Sequence, residues 1–393
     1  MMQKLRNILE GCLFTDGDWI ESKDQDPEGK IRLIQLADIG DGEFVDKSSR
    51  FMNQETATAL NCTYLKTGDI LIARMPDPLG RACIFPLKGE KKFVTAVDVC
   101  IIRNGENIDN KYLKYAINSP FIRHDISRQS TGTTRKRITR KKLGELLLPL
   151  PPLEEQTKIA AILDAADGLR QKDKALITKY DDLTQSLFLD MFGDPISNPK
   201  GWKMVPMGRL MKIVRGGSPR PINKYLGGIY PWIKIGDGTK GNDIYLTDTK
   251  EHITAEGLNK TRLLPSGSLI FANCGVSLGF ARIITFEGCI HDGWLAFSEI
   301  DENVLNKLFL LKTLNSITLH FRRTAPDGTQ PNLNTSIMKN FKLILPDIAL
   351  QTEFSDRLES LRKQKEIAQR SLKKAEALFN NLLQKAFKGE LTN

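Results

Sequence analysis

The only spacing in this 393-residue chain that fits metal-assisted phosphodiester cleavage is Pro76-Asp77 followed by Glu90-Lys91-Lys92. Two acids and a lysine can hold a divalent cation and activate water. The pattern is permissive enough to arise by chance. The matching stretch of the second half, Gly275-Val276-Ser277, carries no acid at all. No catalytic residue is therefore assigned. A Gly-x-x-x-x-Gly-Lys-Ser/Thr phosphate loop is missing, and so is the Asn-Pro-Pro-Tyr or Asp-Pro-Pro-Tyr segment that amino-methyltransferases use. Four histidines and six cysteines lie scattered, with no Cys-x-x-Cys pair, so no metal and no cofactor is expected.

Binding chemistry is better represented. Thr131-Gly132-Thr133-Thr134-Arg135-Lys136-Arg137 leads on to Arg140-Lys141-Lys142, and Arg322-Arg323 precedes Gly328-Thr329-Gln330 in the second half. Glycine lets backbone amides approach a phosphate, hydroxyls donate to it, and Arg or Lys neutralise it. The alternative for the Arg135 cluster is a solvated basic edge. Arg74 and Asn273 end two similar apolar runs, and Arg81 follows the first of them. Arg suits a guanine edge and Asn an adenine edge in the major groove, which would give the halves different base preferences. Such residues also brace loops or hold phosphates.

The elements that would carry these residues occur twice. Leu148-Pro149-Leu150-Pro151-Pro152-Leu153-Glu154-Glu155-Gln156 recurs as Leu343-Ile344-Leu345-Pro346-Asp347-Ile348-Ala349-Leu350-Gln351, 195 residues later. Thr67-Gly68-Asp69-Ile70-Leu71-Ile72-Ala73 pairs with Ser266-Gly267-Ser268-Leu269-Ile270-Phe271-Ala272 at an offset of 199. After each proline-containing segment the chain keeps a heptad pattern. One seam of the first helix reads Ile159, Ala166, Asp173, Tyr180, Leu187, and the other Ile162, Leu169, Leu176, Leu183. The second copy gives Phe354, Leu361, Ala368, Ala375, Leu382 beside Leu358, Lys365, Leu372, Phe379, Ala386. Two apolar stripes over about five heptads predict that the helices pack on each other as an antiparallel coiled coil. The alternative is a helical pair inside one common core. An Asp173–Lys365 contact on the seam would fix register.

Before each helix lies a mixture of short β-type runs, such as Ile31–Leu36, Ile70–Ala73 and Tyr230–Ile235, punctuated by Gly and Asp. Helix-like stretches run over 110–117 and 304–314. The fold class is therefore α+β, with two similar domains alternating with two long helices. The helices stayed alike while the domains drifted, as expected if the domains bind different things. A net charge of +10 favours a polyanion, nucleic acid first and an anionic membrane second. The N-terminus lacks the apolar core of a signal peptide and no run approaches a membrane span, so a cytoplasmic protein is expected.

The proline-rich start of the first helix, its Phe192-Gly193-Asp194 end, Asn198-Pro199-Lys200-Gly201-Trp202, Thr131-Gly132-Thr133 and Asp16-Gly17-Asp18-Trp19-Ile20 occur in an order that resembles the specificity subunits of type I restriction–modification systems. The second helix start departs from the pattern, losing one Pro and the Glu before Gln351. That departure bears on how a modification subunit docks there. The resemblance implies target-recognition domains over 1–147 and 195–345, with conserved spacer helices over 148–194 and 346–393, arranged about a pseudo-twofold. Each domain would read half of a split, asymmetric site in double-stranded DNA, and the helices would set the gap. The chain would be a non-catalytic adaptor for two modification (methyltransferase) subunits and, in the full complex, restriction (motor-nuclease) subunits. S-adenosylmethionine, ATP and Mg²⁺ would belong to those partners. Two other readings remain, a stand-alone DNA-binding or anti-restriction module and an enzyme with its own nuclease site.

Overall fold

The computed structural model describes residues 2–87, 92–132, 135–238, 243–324 and 332–391. It divides into two compact units, Met1–Lys174 with Gln369–Asn393, and Ala175–Ala368. Each contains a β-rich head and parts of two long helices, Leu153–Phe192 (40 residues) and Ile348–Lys388 (41 residues).

In the first head, strands Leu13–Asp16, Val99–Arg103, Ile70–Ala73 and Ala82–Ile84 lie side by side in that order, all antiparallel. The central strand explains why Ile70-Leu71-Ile72-Ala73 reads as continuous rather than alternating apolar sequence. Ile70 and Ile72 enter one core together with helix residues, while Leu71 and Ala73 enter another beneath Phe85 and Phe93. A sheet buried on both faces needs apolar side chains at every position. A second sheet joins Arg50–Met52, Ile31–Ile34 and Lys92–Thr95, with the last two strands parallel.

The second head repeats the plan. Strands Lys212–Arg215, Trp294–Ser298, Leu269–Ala272 and Ala281–Ile284 pair in the corresponding order, and Tyr245–Leu246 adds a parallel edge. Leu269 and Phe271 face one core, Ile270 and Ala272 the other. Its second sheet again contains a parallel pair, Trp232–Ile233 beside Cys289–Ile290. Each head is closed by an antiparallel ribbon, Met2–Lys4 with Leu147–Pro149 and Met204–Pro206 with Lys342–Ile344.

The long helices are not a separate layer. Ile159, Ala160, Leu163 and Ala166 of the first helix join Phe379, Leu383 and Ala386 of the second in the first head's core. In the other unit Phe188, Met191 and Phe192 join Phe354 and Leu358. The early part of one helix thus meets the late part of the other in both units, an antiparallel pairing. Acids Glu154 and Glu155 occupy the first turn of the first helix, where the backbone dipole favours them. Gly193, at φ +74°, ends that helix with a left-handed residue whose amide returns to Leu189 O.

Heptad spacing misplaced one face. Ile159, Phe354, Leu358 and Phe379 are buried, while Leu187 and Leu382 pack partly buried on their heads' cores. Tyr180, Leu361 and Leu372 are half-buried. Leu169 and Leu176, however, stand 49% and 39% exposed, as do their seam-mates Ile162 and Leu183 at 38% and 49%. Each helix turns one side to a head as well as one to its partner helix, so the buried face is rotated away from a two-helix seam. Lys365 finds a carboxylate, but its partner is Asp181 rather than Asp173.

Candidate nucleic-acid interface

The described ends of the first head's basic loop are bridged to each other. Thr131 and Arg137 exchange both backbone hydrogen bonds (2.8 and 2.9 Å). Gly132 sits at φ +101°, and a Cβ there would come within 2.6 Å of Arg135 O, so the turn requires glycine. Arg135 and Lys136 project into solvent, whereas Arg137 folds back onto Asp98 at 2.9 Å. Thr133 and Thr134 lie outside the described residues. Arg140 bonds Phe14 O (2.7 Å), and Lys142 bonds Gln129 O (2.6 Å).

Arg74 does not face outward with them. It is 5% exposed, its Nε donates to Ile138 O (3.0 Å), and Nη1 serves Val97 O and the Asp16 carboxylate. Its backbone carbonyl also accepts from Ile138 N–H (3.1 Å). A guanidinium held this way braces the foot of the loop through its Nε and Nη1 donors. Asn273 has the matching task. It is fully buried, its carbonyl accepts from Leu333 N–H (2.8 Å), and its side-chain amide donates to Asn332 (3.2 Å). Positions 138 and 333 are 195 apart, so both heads tie the same loop to the same strand end with different side chains. Arg81 is likewise internal, donating to the carbonyls of Leu36, Ile39, Met75 and Pro78. Burial pulls its pKa below the usual arginine value. All three are buried, and their described bonds are made within the head.

In the second head, Arg322 and Arg323 are exposed on the helix Thr318–Thr324. Arg322 Nε donates to Leu278 O (3.1 Å), and its guanidinium lies 5.4 Å from the Phe280 ring. Thr329 and Gln330 lie outside the described residues. So do Glu90 and Lys91 of the nuclease-like spacing, while Lys92 reaches Gln54 instead (2.8 Å). Among the described residues, no group of three or more His, Cys, Asp or Glu is placed to hold a metal, and no helix is long and apolar enough to cross a membrane.

What positions the heads is duplicated almost atom for atom. Gln156 Oε1 accepts from Asp109 N–H (3.0 Å) while its Nε2 donates to Pro151 O (2.9 Å). Gln351 Oε1 accepts from Asn306 N–H (2.9 Å) while its Nε2 donates to Pro346 O (2.7 Å). Both glutamines are buried, so each satisfies backbone groups that water cannot reach. Asn118 exchanges two bonds with the Ala82 backbone, and Asn315 does the same with Ala281. A tyrosine then latches each head to a helix carboxylate, Tyr115 to Asp164 (2.7 Å) and Tyr245 to Glu359 (2.9 Å). Burial raises the Asp164 pKa, but bonds from Lys111 and Tyr115 outweigh it and hold the carboxyl below its ordinary value. Tyr115 borders a cleft of about 630 Å³ in the first unit, and the second unit has one of about 530 Å³. Phe379, Asn380 and Leu383 line one, and Thr184, Gln185 and Phe188, each 195 residues earlier, line the other.

The family model described as the type I restriction modification DNA specificity domain matches twice, over residues 5–179 and 199–377. The chain belongs to the type I restriction–modification DNA specificity family. The MjaIX specificity subunit of Methanocaldococcus jannaschii is 23% identical, over 92% of this chain and 87% of that one. The EcoKI specificity subunit of Escherichia coli K12 is 22% identical, over 74% and 68%. Among solved structures, the S subunit from M. genitalium superposes with a TM-score of 0.58 at 18% identity, covering 98% of this chain and 96% of that chain. A structure described as bearing on assembly and conformational transition of the type I system gives 0.61 at 19%, covering 100% and 98%. Both share the fold of two recognition domains and two paired long helices. Within the family the chain is a DNA specificity subunit and not a catalytic one.

Proposed function

We propose that each head of this specificity subunit reads one half of a split, asymmetric site in double-stranded DNA, and that the paired helices set the untouched gap. The reading is supported most by one observation. Equivalent loops, unlike in sequence, are tied to equivalent strand ends at Arg74–Ile138 and Asn273–Leu333. Arg135 and Lys136 of the first head, and Arg322 and Arg323 of the second, contact phosphates and hold each head in register on the duplex. Base-reading side chains beside them supply the sequence preference.

Two modification subunits dock on the long helices in this proposal, and restriction subunits join in the full complex. Ile162 and Leu169 in one unit, and Leu176 and Leu183 in the other, expose apolar side chains suited to a protein partner. The matching clefts provide one equivalent surface per unit, as two copies of one partner require. A cytoplasmic setting follows from the substrate. The test is to co-express the chain with its modification subunit and map methylated bases across a genome. One bipartite motif with unlike halves is expected, and it should disappear when the chain is omitted. Methylation of a contiguous or palindromic motif would refute two unlike readers.

A further inference from the structure

The second head contains a cleft that the loops above do not use. The segment from Ser218 to Ile222 folds over Trp232 and His291 around a cavity of about 550 Å³. Its walls are largely carbon, from Pro219, Pro221 and the Trp232 ring. Trp232 is 3% exposed, and its indole Nε1 is buried without an acceptor among the described residues. Buried donors are almost always paired, so an unpaired one on a residue lining a cavity indicates where an acceptor belongs. The His291 ring lies 5.5 Å from that of Trp232. Its Nδ1 lies 2.9 Å from both Gly293 N and an Asp292 carboxylate oxygen, and Nε2 has no bonded partner among the described residues.

The surroundings are cationic. Burial, with Lys234, Arg220 and Arg215 nearby, holds the His291 imidazole below its ordinary pKa against the opposing pull of Asp292. Lys234 Nζ lies 5.3 Å from the Trp232 ring centre but is paired with the Glu251 carboxylate, so the excess positive charge rests on Arg220 and Arg215. A polyanion would be drawn to this rim, yet an apolar interior disfavours a bare phosphate. A planar base with a hydrogen-bond acceptor satisfies both conditions. Among the described residues, the first head lacks both side chains at the equivalent positions. Leu33 takes the place of Trp232 in its parallel strand pair, and Ala96 the place of His291 beside the equivalent glycine.

We propose that this cleft takes the edge of one base in the half-site read by the second head, with a base carbonyl on Trp232 Nε1 and the flanking phosphate on Arg220. Thymine O4 and guanine O6 offer that acceptor in the major groove, where adenine and cytosine present an amino donor. The inference rests on the reading of the chain as a DNA-reading subunit.

The full chain, assembled with its modification subunit, is bound to a randomised duplex library and the bound fraction is sequenced. Trp232→Phe keeps the ring and removes the N–H. It should lower the preference for thymine or guanine over adenine and cytosine about five- to tenfold at a single position of one half-site. Ile222→Trp fills the cleft from its rim and should erode the same position, which covers the case in which Trp232→Phe fails to fold. Arg220→Ala should weaken all sequences alike and reduce the salt slope by about one. If Trp232→Phe or Ile222→Trp retains wild-type discrimination at every position, with or without lower affinity, the proposal is overturned. A wild-type assembly with no sequence preference would instead overturn the DNA-reading function itself.

Discussion

Replacing Arg74 with alanine separates a brace from a base reader. The side chain is 5% exposed and supports Ile138 O at 3.0 Å, Val97 O at 3.2 Å and the Asp16 carboxylate. Truncation leaves two carbonyls short of a donor and one carboxylate with only the more distant Arg140 (3.7 Å). Each lost bond to a charged group costs about 1.5–3 kcal/mol. Asp16 is one-third exposed, so water recovers most of the ion-pair loss. A net destabilisation of about 3 kcal/mol follows, lowering the melting temperature by roughly 6–12 °C for a unit of this size. Freed from its anchor, the 131–138 loop should hold its phosphates less well, weakening every duplex by a similar factor. Differential scanning fluorimetry and competition binding against a panel of single-base variants read the two effects together. A stable Arg74→Ala protein that relaxed its choice at one base pair would refute the brace and restore a base contact.

Phe192→Ala should be the more damaging change, because Phe192 packs within 4.7 Å of Phe309 and 5.3 Å of Phe354, ring centre to ring centre. A loss of about 3–5 kcal/mol is expected from denaturant titration, and a loss under 1 kcal/mol would contradict the packing. The depressed Asp164 carboxyl stabilises the first head fully above its unfolded value of 3.8, and that contribution is lost as pH falls through the lower folded value. Asp164→Asn should therefore cost stability at pH 7 and converge on wild type in acid, and equal melting temperatures at pH 7 would count against the latch. Four residues inserted into each long helix add about 6 Å, which should lengthen the methylated motif's gap by about one or two base pairs. An unchanged gap would dismiss the spacer role.

Much of the fold was legible because it is written twice. Gln156 and Gln351 fixed the register of the repeat for a reason now visible, since each satisfies the same buried backbone groups. Ile70–Ala73 and Leu269–Ala272 read as strands because both faces are covered. Helix orientation was less accessible. Spacing alone finds a stripe, but which stripe is buried depends on the head packed alongside, so Leu169 and Leu176 came out exposed while Ala160 and Leu163 did not. The burial of Arg74 was not legible because its contacts are decided by a carbonyl 64 residues away. Trp232 and His291 gave no signal at all, since their cleft is assembled from three separated segments.

The glutamine clasp has an evolutionary corollary. Every partner of Gln156 and Gln351 described above is a main-chain amide or carbonyl, so the socket at a helix start asks for a backbone shape and not for particular head side chains. A recognition module can then mutate freely, or be grafted in from a relative, without re-engineering the joint that receives it. New target sites become accessible while the architecture of the assembly stays as it is.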